Sequence, residues 1–150
     1  MPNSNWLAKK LCEDFPQFSY KAADICRWSP DEQTIYYIED NDCQLLHELG
    51  HALLGHKDFI QDVEILHIER DAWEKALEIA PNYNVEITDE QIESAMDEYR
   101  DWLHARSLCP KCDQTGLQSR QTGQYKCLNC GKAWVANDAR QCGLKRRSTN

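Results

Sequence analysis

Residues 43–58 read CQLLHELGHALLGHKD and hold three of the chain's five histidines. Leu45, Leu46, Leu49, Leu53 and Leu54 recur at helical spacing, which predicts a helix from near Asp42 to Gly55. Glycine suits the left-handed residue that follows a helix end. On such a helix His47 and His51 lie four residues apart on one face, so both imidazoles can reach a single ion. Glu48 sits beside His47, within reach of a water on that ion. The order H-E-x-x-H thus offers two metal ligands and a general base; the alternative is a pair of core histidines with satisfied hydrogen bonds. His56 falls about 140° round the helix from His51 and past the glycine. It is read as following the helix end, not as a ligand.

Two histidines do not complete a hydrolytic site, which uses three protein ligands and one open position. The metzincin pattern asks for glycine and histidine three and six residues after the second ligand. Leu54 and Lys57 stand there instead. A better source is VEILHIERDAWEKALEIA, residues 63–80, a third helix expected over about 62–80. His67, Arg70, Asp71, Glu74, Lys75 and Glu78 form its polar face, and Glu69 falls within the apolar one. A carboxylate turned into a core needs compensation. Either a metal ion supplies it, making Glu69 the third ligand, or a buried ion pair does, with Arg27 or Arg100.

HELGHALLGH followed by IERDAWEKA resembles the ImmA/IrrE-like zinc peptidases over about residues 18–80. The resemblance implies an HExxH zincin-like fold with His47, His51 and Glu69 as ligands of a catalytic zinc and Glu48 as general base. Trp73 departs from it, because many relatives carry a small polar residue there. Relatives act in phage, mobile-element and stress-response systems, typically cleaving a helix-turn-helix repressor; the expected partner is therefore such a repressor, cleaved to release an operon. In the implied chemistry Glu48 takes a proton from water and passes it to the leaving amine. An extended substrate is expected to add as a strand along TIYYIE, residues 34–39. Tyr36, Tyr37, Tyr99 and His104 are the candidate oxyanion donors.

Farther on, Cys109, Cys112, Cys127 and Cys130 appear as CPKC, fourteen residues, then CLNC. Paired thiolates two residues apart form a knuckle, and two knuckles close a tetrahedral structural zinc site. With GLQSRQTGQYK as a hairpin between them, the segment reads as a zinc ribbon. The cofactor expectation is therefore two zinc ions per chain, one catalytic and one structural. Cys12, Cys26, Cys43 and Cys142 are scattered, and Cys142 is one thiol that can be imagined blocking a catalytic zinc.

Charge divides the chain at the same place. Residues 1–106 carry 9 Lys and Arg against 23 Asp and Glu, whereas residues 107–150 carry 8 against 2. The expected domains are a peptidase over 1–106 and a four-cysteine module with a basic tail over 107–150. Arg120, Lys126, Lys132, Arg146 and Arg147, with Tyr125 and Trp134 among them, suit a phosphate-contacting surface with stacking aromatics. That makes DNA, including single-stranded DNA, an expected partner, against the alternative of a solvated basic tail.

The remaining segments suggest an α+β fold, with helices plus a small antiparallel-type sheet. A helix over about Asn5–Asp14 follows a Ser4 cap, and strands are expected over 18–26 and 34–39, joined by a turn at Trp28–Glu32. A fourth helix starts at ITDEQI, where Thr88 and Gln91 form a capping box. No run is apolar and long enough to cross a bilayer, and no secretory signal is visible, so no membrane partner and a cytoplasmic location are expected. Two other functions fit parts of the pattern. A SprT-like protease acting on DNA-bound proteins also joins H-E-x-x-H to a cysteine ribbon, but needs a downstream histidine as third ligand. A non-catalytic binding module, with both zinc ions serving only the fold, has no use for Glu48.

Overall fold

The computed structural model describes residues 6–138 and 143–150. Ser4, Asn5, Arg140 and Cys142 therefore lie outside the described residues. The fold is α+β, built from four helices and two small sheets among those residues. Contacts divide the chain into two compact units. One comprises Met1–Lys57 and Ile68–Ile92; the other comprises Asp58–His67 and Glu93–Asn150. The cysteine-bearing unit thus also takes in residues 58–67 and most of the fourth helix.

The first unit opens with α1 (Trp6–Asp14), followed by β1 (Ser19–Ala22), β2 (Arg27–Ser29) and β3 (Thr34–Tyr37). These strands form a sheet in the order β1-β3-β2. β1 runs parallel to β3, with Ser19 opposite Thr34, while β2 runs antiparallel to it, with Trp28 opposite Ile35. Two expectations need correction. The sheet is mixed rather than antiparallel, because the chain leaves β1 at Ala22 and crosses to the far side of β3 within residues 23–26. Trp28 and Ser29, expected as part of a turn, are extended in β2, and the reversal falls at Pro30–Gln33, where Gln33 is left-handed (φ 51°). The expectation of a strand added along TIYYIE is also affected. β3 is paired on both sides, so it has no edge to offer an added strand; the free edges belong to β1 and β2.

α2 (Asp42–Leu54) packs on β2 and β3, burying Leu45, Leu46 and Leu49 with Ile35 in the core. It ends where expected: Gly55 takes φ 69°, and its N–H and that of His56 bond back to Ala52 and His51 carbonyls. α3 (Glu64–Ile79) buries Ala72, Trp73 and Ala76. α2 and α3 approach so closely that a Cβ on Gly50 would stand 2.4 Å from the Ala72 carbonyl oxygen. α4 (Asp89–Ser107) begins on the expected box, Thr88 N–H donating to Gln91 Oε1 at 2.8 Å and Gln91 N–H to Thr88 Oγ1 at 3.2 Å.

The second unit carries a four-stranded antiparallel sheet, β4 (Leu117–Gln118), β5 (Tyr125–Lys126), β6 (Ala133–Ala136) and β7 (Arg146–Ser148), in that order. Its inner face is fixed by a buried carboxylate. Asp62 Oδ2 accepts the Arg106 Nε–H at 3.0 Å and the Tyr125 hydroxyl at 2.6 Å, and the Asp62 N–H donates to Gln118 Oε1 at 2.5 Å. Removing one partner from such a buried pair strands the other charge. Trp134 lies against Tyr125, rings stacked 5.5 Å apart, and donates its indole N–H to the Arg106 carbonyl.

Gly50 generates a prediction of sign. An alanine in a helix interior ordinarily stabilises by about 1 kcal/mol over glycine. Here Gly50→Ala must push α3 away, and overpacking of this kind costs about 1–3 kcal/mol. Thermal denaturation should therefore show a lower, not higher, melting temperature.

Candidate metal centres

The close approach at Gly50 lets side chains from α2 and α3 meet at one point. His47 Nε2 lies 2.7 Å from Glu69 Oε2, His51 Nε2 lies 3.3 Å from the same oxygen, and the two Nε2 atoms are 3.1 Å apart. All three residues are buried, Glu69 to 5% exposure. Hydrogen bonding alone does not satisfy this triangle. An imidazole nitrogen either donates or accepts, never both. If both histidines donate to Glu69, their N–H groups face each other; if one does not, an edge of the triangle is left without its bond. A cation within the triangle satisfies all three atoms. Tetrahedral nitrogen and oxygen ligands at about 2.0–2.1 Å from an ion stand about 3.3 Å from one another, close to the spacing here. The residues therefore fit a metal ion. Burial pushes the Glu69 carboxyl up, but hydrogen bonds from His47 and His51 outweigh it and hold the group at about 2, so Glu69 is a carboxylate and not a neutral acid.

Glu48 also forms a possible donor group with the two histidines, its ligand atom within 4.8 Å of those of His47 and His51. Its carboxylate, however, is engaged elsewhere: Oε2 accepts the Trp28 backbone N–H from β2 at 2.8 Å. Burial raises its pKa above the ordinary carboxylate range, against the pull of His47 and His51. The two glutamates are thereby sorted, Glu69 in the triangle and Glu48 beside it. Tyr36 turns its hydroxyl to Glu32 at 2.5 Å and so spends its donor there.

Three neighbours of the site were not legible as such. His56 Nδ1 lies 2.9 Å from His51 Nδ1, and its carbonyl accepts the Trp28 indole N–H at 3.1 Å. Trp73 stacks on His47 with centroids 4.1 Å apart at 24°. The signal for His56 was Gly55 itself: a left-handed residue folds the chain back along the last helical turn. Trp28 and Trp73 carried no comparable signal.

The four patterned cysteines also converge. Cys109 and Cys130 sulfurs are 3.6 Å apart, Cys112 and Cys127 3.5 Å, and all four lie within 4.8 Å of one another. Four thiolates at about 2.3 Å from one ion would be about 3.8 Å apart, so this set fits a metal as well. The two knuckles are built alike. Cys109 N–H donates to Gln114 and Asp113 N–H back to Cys109; Cys127 N–H donates to Lys132 and Gly131 N–H back to Cys127. Asp113 and Gly131 occupy equivalent left-handed positions, φ 60° and 75°. Residues 119–124 repeat the same turn without cysteine, with Ser119 N–H donating to Gln124 and Gly123 N–H to Ser119. Hydrogen bonds from the Asn129 side chain and the Gln114 backbone lower Cys112 to about 6. At Cys130 a hydrogen bond from the Lys132 backbone is outweighed by burial and the neighbouring cysteines, which push the thiol up to about 11, so without a metal the four do not ionise together.

The basic residues divide. Arg120, Lys126 and Arg147 are exposed, Arg120 with its Nη2 3.9 Å from Glu64 Oε1, and Lys126 and Arg147 on the outer face of the sheet by strand alternation. Lys132 Nζ donates to the Asn150 carbonyl at 2.7 Å, and Arg146 Nη1 to the Leu108 carbonyl at 2.6 Å. Tyr125 and Trp134 are not stacking platforms. They are 2% and 0% exposed, because strand alternation turns both inward with the cysteines.

The chain matches no protein-family model and no solved structure. Among the described residues no helix is long and apolar enough to cross a membrane. The two centres make a countable prediction. Metal analysis of the purified chain should find about two ions, falling to about one in His47→Ala; a single ion in the unaltered chain would remove one of the centres.

Proposed function

We propose that the chain is a zinc-dependent endopeptidase of zincin-like fold, resembling the ImmA/IrrE-like peptidases, with a zinc ribbon as its second unit. One observation carries the reading: His47, His51 and Glu69 present three donors to one point, while Glu48 stands next to that point with its carboxylate outside the triangle. Two imidazoles and a carboxylate suit zinc. When bound, such an ion acidifies water and polarises a carbonyl. Glu48 is then placed to accept a proton from the attacking water and deliver it to the departing amine. The Trp28 N–H holds that carboxylate in position. A purely structural site would need no second glutamate beside the metal, although Glu48 also ties β2 to α2 through the Trp28 N–H, and a SprT-like site needs a histidine where Glu69 stands.

With β3 paired on both sides, the role expected of TIYYIE passes to an outer strand of that sheet. An extended segment of a helix-turn-helix repressor pairing there is the proposed substrate, with release of a phage, mobile-element or stress operon as the outcome. In the second unit, Arg120, Lys126 and Arg147 are the proposed phosphate contacts, with Lys132 and Arg146 already engaged within the fold.

Glu48→Gln should keep its zinc and lose at least about 100-fold in cleavage, the scale of general base catalysis. Co-expression with a neighbouring repressor, read by intact mass, checks it; cleavage undiminished in that variant would sink the assignment. For the ribbon, single-stranded DNA binding should weaken as salt rises, each phosphate contact adding about 0.7 to the log–log slope. Charge reversal at Lys126 and Arg147 should flatten that slope. Binding indifferent to salt would refute the phosphate reading.

A further inference from the structure

His51 and His56 face each other through their Nδ1 atoms at 2.9 Å, rings crossed edge to face. A contact this short requires one proton between the two nitrogens, because two lone pairs or two N–H groups would repel. If His51 offers its Nε2 lone pair to an ion, its single proton sits on Nδ1. His56 must then accept at Nδ1 and carry its own proton on Nε2. The opposite assignment would protonate His51 at Nε2 and remove it as a ligand.

We propose that His56 is a positioning residue: by accepting the His51 Nδ1–H it fixes the ligating tautomer and ring plane of His51, and so sets the affinity of the His47–His51–Glu69 site for a divalent ion. The inference rests on those three residues binding metal. The fold holds the acceptor in place from two sides. The left-handed Gly55 returns the chain so that His56 N–H bonds to the His51 carbonyl at 3.0 Å, and the Trp28 indole N–H grips the His56 carbonyl. His47 differs. Its Nδ1 has no hydrogen-bond partner among the described residues, and its ring is held by stacking on Trp73. The imbalance makes the His56 contact the one hydrogen bond that orders a ligand histidine from behind. Partners of this kind are worth about 10–100-fold in metal affinity.

The test uses the full chain and Zn2+ in competition with a chromophoric chelator, with His47→Ala defining the contribution of the four thiolates. His56→Ala should weaken the remaining site about 10–100-fold. His56→Asn should restore most of that loss, because the amide Oδ1 stands where Nδ1 stood and can only accept. Thermal melting of the metal-free variants checks that the fold is kept. Long-range proton–nitrogen spectra of the zinc-loaded chain should show His51 protonated at Nδ1 and His56 at Nε2. Unchanged affinity in His56→Ala, equal weakness in His56→Asn, or His56 protonated at Nδ1 would each overturn the proposal while leaving the peptidase reading standing. A His47→Ala chain that binds as much zinc as the unaltered one would overturn both.

Discussion

Two helices approach as closely as their backbones allow, and the meeting of His47, His51 and Glu69 depends on it. Gly50 presents no side chain to the Ala72 carbonyl of α3. One turn of α2 can therefore bring His47 and His51 to Glu69, one turn before Ala72 on the partner helix. Any larger residue would separate the helix axes, and side chains of fixed length would no longer share a point. Strand β3 supports α2 from the other side, with Ile35 fully buried, and so prevents α2 from yielding to strain by moving outward. The donors are held by packing, and the charge of Glu69 is offset by the groups that packing brings to it.

The second unit reaches order by different means. It has only a small apolar cluster, Tyr125 and Trp134 with the cysteines, and a unit of this size gains little from burial alone. Two polar devices compensate. One is the cysteine quartet, which a metal ion would draw together; the other is Asp62, whose carboxylate accepts from Arg106 and Tyr125 and whose backbone N–H donates to Gln118, joining them to residues ahead of α4. The cysteine loops are thus tied to a segment far away in sequence, and the unit is discontinuous along the chain.

Much of this was legible in local patterns. Helix ends were written in Gly55 and in the Thr88–Gln91 box, and the four-residue spacing of His47 and His51 fixed their common face. Glu69 stood out because it broke an apolar stripe, and the structure brings it to both histidines. What failed was non-local. Strand order depends on which side of β3 the chain crosses, and four residues, 23–26, carry no periodicity that reports it. Trp28 read as a turn residue because Ser29-Pro30 follows it, yet its backbone and indole serve Glu48 and His56. Tyr125 and Trp134 looked like a binding surface because aromatics among lysines suit one equally well. Only the sheet's register shows that they point inward.

The thrice-repeated turn of the second unit bears on the order of its assembly. Residues 119–124 adopt the same backbone as the two cysteine loops while having Ser119 and Thr122 where the thiols would be. The turn is therefore a property of short sequence, closed by hydrogen bonds five residues apart, and such loops form in nanoseconds to microseconds. An ion held by the four sulfurs would meet two claws that are already bent, and would add the long-range link between them. Capture of an ion would then be a docking of preformed halves with little chain left to search.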